Sequence, residues 1–167
     1  MIPLSLMTST QQVRNQRYLL LSIPHSKGEE MFVTTVTPRF GDIDGLGHVN
    51  NTVLPGWFEL ARNPIFRMFE PDLDLSPEKW GLIMARIDFD FLGEIFFDGD
   101  VEIRTYVKRL GNKSFTLHHE AWQRGELKTK GDAVLVGYDF VNKRSKTLAD
   151  DIKETLAEHL IPEEKNE

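Results

Sequence analysis

Apolar residues stand at Leu54, Trp57, Phe58, Ala61, Ile65, Met68 and Phe69, in steps of three and four, the period of an α-helix. Polar Glu59, Arg62, Asn63 and Arg67 fill other positions, so a helix is expected over about 52–69 with one broad apolar side. A helix apolar over so wide an arc needs cover from a curved layer, and a sheet wrapped around it supplies that. Pro64 lies within the stretch. An interior proline costs roughly 3 kcal/mol, so a kink, or a stop near Asn63, is expected.

The other segments read mostly as strands. Met31 opens a run rich in β-branched residues, Phe32 to Thr37. Ile87 and Phe89 alternate with Asp88 and Asp90 within Leu82 to Phe91. Val101, Ile103, Thr105 and Val107 alternate with Glu102, Arg104, Tyr106 and Lys108. Further strands are expected over Phe115 to Trp122 and Asp132 to Val141, with turns at Asp98-Gly99-Asp100, Gly111-Asn112 and Arg124-Gly125. Such short connections join antiparallel neighbours. A short helix over Asp150 to Leu160 ends the pattern. The expectation is an α+β fold with one antiparallel sheet against one long helix.

The chain of 167 residues suits one domain. Residues 1–30 are polar and weakly patterned; they are expected to be a loosely attached extension, with Met31 a candidate natural start. Residues 31–160 form the domain and 161–167 a polar tail. Lys and Arg total 20 against 26 Asp and Glu, a formal charge of −6, which argues against a general nucleic-acid binder. There is no cysteine, which removes disulfides, cysteine nucleophiles and thiolate metal sites and is compatible with a reducing cytoplasm. No apolar run approaches the roughly 20 residues of a membrane span. Residues Met1 to Thr10 carry no basic charge, so no secretory signal is expected.

The segment Gly41-Asp42-Ile43-Asp44-Gly45-Leu46-Gly47-His48 carries three glycines, two carboxylates and a histidine, just ahead of the expected helix. Free N–H groups at a helix start can hold a developing oxyanion. A nearby carboxylate can act as base or nucleophile, and glycines let a carbonyl approach the backbone. A calcium EF-hand counted from Asp42 fails, since Leu46 and Val53 occupy ligand positions. A dinucleotide fingerprint fails at Asn50, and no serine elbow occurs. His118 and His119 are neighbours on a strand, so they face opposite sides and cannot share a metal; one of them is expected in the core or an interface. Asp42 reads as a turn or capping acid. Glu59 and Arg62, three apart, can pair on the helix, and Trp57, Phe58 and Phe69 read as core.

Phe40-Gly41-Asp42-Ile43-Asp44-Gly45-Leu46-Gly47-His48-Val49-Asn50-Asn51, continued by Trp57-Phe58-Glu59-Leu60-Ala61-Arg62, resembles the signature of the hotdog thioesterases of the 4-hydroxybenzoyl-CoA type. The stretch is also similar to acyl-ACP thioesterases, including Gly56-Trp57. Fainter echoes follow at Phe97-Asp98-Gly99-Asp100-Val101 and at Arg109 to Thr116, so the likeness covers about residues 32–145. Plant-type acyl-ACP thioesterases have asparagine where Leu46 stands, and family members often carry tyrosine and leucine where Leu54 and Pro55 stand.

The resemblance implies a five- or six-stranded antiparallel sheet around the central helix, in homodimers or homotetramers with sites between protomers. The reaction implied is hydrolysis of an acyl-CoA or acyl carrier protein thioester to free acid and thiol. Asp44 would be general base or nucleophile, His48 would position or polarise the substrate, and the N–H of His48 or Val49 would face the oxyanion. Asn50, with a place in the catalytic set, and Asn51 would brace the turn and cap the helix. Gly47, Val49, Asn51, Trp57 and Glu59 would contact substrate, and Ser114 would reach in from the partner subunit or hold the pantetheine. Lys108, Arg109 and Lys113 are candidates for the phosphates, against a plain solvated turn. No cofactor or metal is expected. The alternatives are an enoyl-thioester hydratase and a non-catalytic acyl-thioester or fatty-acid binding protein.

Overall fold

The computed structural model describes residues 31–161. The expected extension over 1–30 and most of the expected tail lie outside the described residues. Strand β1 (Phe32–Val36) leads through the glycine-rich loop to helices α1 (Leu54–Ala61) and α2 (Asn63–Phe69). Then follow β2 (Leu82–Ile87), β3 (Asp90–Phe91), β4 (Val101–Leu110), β5 (Ser114–Gln123), β6 (Glu126–Asp139), β7 (Arg144–Ser145) and α3 (Asp150–Glu158).

The helix expected over 52–69 is interrupted where Pro64 requires it. Proline has no N–H to give, and its ring clashes with the carbonyl four residues back. The Arg62 N–H turns instead to the Glu59 carbonyl at 3.0 Å, and the Arg62 carbonyl starts α2 by accepting from Phe66 at 2.9 Å. The two helices present Leu54, Trp57, Phe58, Ala61 and Ile65 to the core.

The sheet runs β1-β4-β5-β6-β2, antiparallel throughout, with the two-residue strands β3 and β7 both on β6. Those two make it seven strands rather than the implied five or six. Period-two burial is plain in β5: Phe115, Leu117, His119 and Ala121 face the core, while His118 and Glu120 face outward. His119 is the buried member of the pair, as expected for one of them. Strand β6 starts at Glu126, earlier than the expected Asp132, because it carries the hairpin register with β5 down to Gln123. The Leu82 to Phe91 stretch is two strands. Between them the Asp88 backbone crosses close over Gly131, where any Cβ would overlap the Asp88 carbonyl oxygen.

The core has two parts. One, at the α1 end, joins Val49, Trp57 and Phe58 to Ile95, Val101 and Ile103; the other, at the α2 end, joins Ile65 to Phe115, Leu135 and Leu156. Each large side chain buried fully contributes about 1.5–3 kcal/mol. Past the end of β1, the segment after α3 takes the free edge of β4: Val107 donates to His159 at 3.1 Å and accepts from Ile161 at 2.9 Å. At the other edge, five of the six β2 residues are exposed. Met84 and Ile87 stand opposite buried Leu135 and Ala133, on the helix side, yet each is 37% exposed. Among the described residues no helix is long and apolar enough to cross a membrane.

Candidate active site

The loop between β1 and α1 is a small hairpin closed at both ends. A 3-10 turn, Phe40–Asp42, buries the Asp42 carboxylate. That carboxylate accepts from the Arg39 N–H at 2.8 Å and from the Arg39 guanidinium at 3.2 and 3.4 Å. Burial works to raise its pKa, but the bonds from Arg39 outweigh burial and hold it below the ordinary value. Asp42 is thus a structural acid of the turn.

Asn50 donates its N–H to the Asp42 carbonyl at 2.8 Å, and Asp44 donates to the His48 carbonyl at 3.0 Å. These two bonds pair Ile43 with Val49 in an isolated antiparallel bridge. Gly47 turns the chain at φ 89°, a left-handed conformation that glycine adopts without a Cβ penalty. The hairpin therefore sets Asp44 and His48 side by side. Asp44 Oδ1 accepts the Leu46 N–H at 2.8 Å, while Oδ2 lies 3.9 Å from His48 Nδ1. The far nitrogen of His48, Nε2, lies 3.8 Å from Glu94 Oε1. His48 thus stands between two carboxylates, neither close enough for a hydrogen bond. Glu94 was not legible beforehand: it sits in the irregular segment between β3 and β4 with no motif to mark it.

Of the two N–H groups expected to face an oxyanion, that of Val49 is committed to the Ile95 carbonyl at 2.7 Å. This corrects the expectation for Val49; no described hydrogen bond uses the His48 N–H. Asn50 Oδ1 accepts from the Thr52 N–H at 2.9 Å and its hydroxyl at 2.7 Å, capping the 3-10 turn Asn51–Val53 that leads into α1. Asn51 is exposed at the start of that turn, Glu59 is exposed on α1, and Trp57 is buried in the core. An open depression of about 300 Å³ beside the loop is lined by Gly47, Phe96, Phe97, Asp98 and Arg124.

Ser114, Lys108, Arg109 and Lys113 lie at the other end of the sheet. Val101 packs with Val49 near the loop, and the ten-residue strand β4 then runs roughly 30 Å to the hairpin that carries them. One chain does not bring them to Asp44. Lys108 is already held by Asp132 at 2.6 Å, whereas Arg109 and Lys113 are exposed and in no described ion pair.

A family model described as the thioesterase-like superfamily matches residues 38–156, from before the hairpin to within α3. The chain belongs to the thioesterase-like superfamily. It is accordingly a thioester hydrolase. A predicted thioesterase from Bacillus stearothermophilus is similar at 38% identity and a TM-score of 0.75, over 78% of this chain and 97% of that one. A thioesterase from Thermus thermophilus, solved with coenzyme A and zinc, is similar at 33% identity and a TM-score of 0.65, over 74% and 95%. No curated protein matches in sequence. Among the described residues of this thioesterase, no three histidine or carboxylate side chains are grouped to hold a metal.

The thioesterase has two more buried polar side chains, Arg62, which the sequence placed on the surface, and His119, one of the pair from which a core histidine was expected. Arg62, expected to pair with Glu59 on the helix surface, is only 3% exposed, and no described ion pair joins the two. Its Nε and Nη1 lack any hydrogen-bond partner. Arg62 is the cap residue at the helix break between α1 and α2, and its guanidinium carbon lies 5.9 Å from the centre of the Phe66 ring. Burial lowers its pKa to about 10, opposed by Glu59. His119 is wholly buried, with Nδ1 at 2.9 Å from the Thr105 hydroxyl and Nε2 unpartnered. Burial first, then the Arg62 charge, lower its pKa to about 3, so it is neutral.

Proposed function

We propose that the enzyme hydrolyses acyl-CoA thioesters, with Asp44 as general base or nucleophile. The observation that carries this is the hairpin itself. It anchors one Asp44 oxygen on the Leu46 N–H and leaves the other in no described hydrogen bond, facing His48. A water beside that free oxygen loses its proton to Asp44 as its oxygen bonds the thioester carbonyl carbon. The carbonyl oxygen becomes an oxyanion, which the N–H of His48, used by no described hydrogen bond, would receive. As the C–O double bond reforms, the C–S bond breaks and the thiolate takes the proton that Asp44 received, leaving acid, thiol and the Asp44 carboxylate. In the nucleophilic variant the Asp44 carboxylate bonds the carbonyl carbon, the C–S bond breaks to release the thiolate, and water then opens the mixed anhydride to free acid and the Asp44 carboxylate.

Coenzyme A as carrier is supported by the Thermus thermophilus relative, which was solved with it. The complete site needs a second copy. The edge strand β2 has an uncovered apolar inner face at Met84 and Ile87. Two copies related by a two-fold axis at that edge would bring each Ser114 hairpin toward the partner's Asp44 hairpin. Arg109 and Lys113 would then meet the phosphates as freely solvated cations. Asn50 serves the site by holding the loop, and Gly47 by its turn.

The test is thiol release from acyl-CoAs of varied length and aromatic character, for wild type and Asp44→Asn together. The asparagine oxygen keeps the Leu46 bond, so the fold survives. Turnover is expected to fall by at least about 10²-fold. Equal rates in both proteins would remove Asp44 from the chemistry. A retained ligand with no product would instead favour the binding protein, and turnover only of acyl carrier protein thioesters would replace the carrier.

A further inference from the structure

A guanidinium cannot lose its proton in a protein, and a buried charge without a partner is costly. Arg62 comes close to such a charge: the Phe66 ring, 5.9 Å from its guanidinium carbon, is its one described neighbour of that kind. Its Nε and Nη1 are buried without a partner, and among the described residues no carboxylate lies within ion-pair reach of it. Glu59 is the nearest acid by its effect, yet it is exposed and acts only at a distance. The unpartnered Nε2 of His119 lies near enough to feel the Arg62 charge. In the tautomer whose Nδ1 accepts from the Thr105 hydroxyl, 2.9 Å away, Nε2 carries the proton. Two buried groups on different elements, one at the helix break and one on β5, then offer only donors.

A file of aromatic rings also runs from this pair to an exposed side chain. Phe58, four residues before Arg62, lies 4.9 Å from the His119 ring and 5.2 Å from Phe89, centroid to centroid. Phe89 stacks at 6.0 Å on Phe91, which is 53% exposed. This aromatic file ends on β3, which pairs with β6, the strand that also carries β2. Arg62 lies eight residues beyond Leu54, about 12 Å along the helix from the end that carries the catalytic hairpin.

We infer that Arg62 and His119 form an anion-binding site at the inner end of the acyl pocket, and that acyl groups ending in a second carboxylate are its ligand class. The distal carboxylate neutralises Arg62 and accepts from His119, while the methylenes lie along the aromatic file. A neutral chain end leaves the guanidinium uncompensated. The inference rests on the thioester reading above.

The experiment pairs CoA thioesters by length, hexanoyl with adipoyl and octanoyl with suberoyl, for wild type, Arg62→Met and Arg62→Lys. In wild type the diacid member of at least one pair is expected to have kcat/KM about tenfold or more above its partner, the size of a charged hydrogen bond. Arg62→Met is expected to abolish that ratio, and Arg62→Lys to weaken it, since lysine lacks the planar fork. Wild-type preference for the neutral member at both lengths overturns the inference. So does a diacid preference that survives in Arg62→Met. A loss of oligomer in Arg62→Met with no wild-type diacid preference also overturns it, since the guanidinium then pairs with a second copy. If no thioester is cleaved, the hydrolase reading fails alone. The anion site is then read from thermal shifts with free suberate against octanoate, where a rise with suberate in wild type but not in Arg62→Met supports it and no rise overturns it.

Discussion

Val49 donates its N–H to the Ile95 carbonyl at 2.7 Å, and this bond fixes the distance between the Asp44–His48 hairpin and Glu94. Ile95 is buried beside Val49 in the core, so its neighbour Glu94 is held over the hairpin rather than free to drift. Its Oε1 stands 3.8 Å from His48 Nε2. The acid is largely exposed, so solvent screens it, and its effect on His48 is that of an orienting partner. Glu94→Gln is predicted to lower kcat by roughly 3–10-fold while leaving Tm unchanged within about 2 °C. Thiol-release kinetics beside a melting curve check this. A loss as deep as that of Asp44→Asn would make Glu94 a proton carrier instead.

The aspect of the site that local chemistry decides was legible in the sequence. Gly47, Asp44 and His48 are close in the chain, and a hairpin turn is a short-range event. The helix break at Arg62 followed from Pro64, and the face of His118 and His119 from the pleat. What depends on distant contacts was not legible. Glu94 reaches His48 only because β-sheet closure brings the Ile95 carbonyl to Val49. Arg62 looked like a surface partner for Glu59, since i, i+3 spacing says nothing of a cap that turns the side chain inward. Val49 looked like a free donor because its acceptor lies far along the chain. Ser114 and the basic hairpin fall at the far end of β4, a distance that no motif records.

The crossing of Asp88 over β6 makes Gly131 irreplaceable. A Cβ at Gly131 would overlap the Asp88 carbonyl oxygen, with Phe89 also in contact. Both neighbours are backbone and pinned, since Asp88 donates to the Asp132 carbonyl at 3.0 Å. Gly131→Ala is therefore predicted to cost at least about 2 kcal/mol, a Tm fall of roughly 5–10 °C. A melting curve within about 1–2 °C of wild type would mean that the crossing relaxes freely. Because Phe89 belongs to the aromatic file, the KM of long acyl groups is expected to rise as well.

The uncovered inner face of β2 gives a test of assembly separate from chemistry. Ile87 stands opposite Ala133 on the helix side and is 37% exposed. In a lone chain a charge there meets water and costs little. In a two-fold assembly at this edge it is buried against its own copy, where like charges repel. Ile87→Glu is predicted to shift sedimentation toward the single chain and to lose turnover in the same step, because Ser114 and Asp44 then no longer meet. An unchanged mass with full activity would move the interface elsewhere.

Two adjacent histidines give stability of opposite sign with pH. His119 titrates near pH 3 in the folded chain and near about 6.5 when unfolded. Between those values the unfolded chain binds the proton and the native chain does not, so stability falls as the pH drops through that window, by at most about 1.4 kcal/mol per unit. His118 behaves the other way. Glu120, with Asp132 2.6 Å from Nδ1, raises its pKa against the effect of burial. Its contribution is complete below about pH 6.5 and is lost as the pH rises through the raised value. Urea midpoints at several pH values between about 4.5 and 8 separate the two. His119→Asn is predicted to flatten the acid side of the curve, and His118→Gln to remove stability chiefly on that same side. In the double variant the two opposing slopes go together, leaving the carboxylates, Asp42 and Asp132 among them, to set the remaining acid sensitivity at lower pH. Curves that merely shift in parallel would show that neither imidazole changes protonation on unfolding.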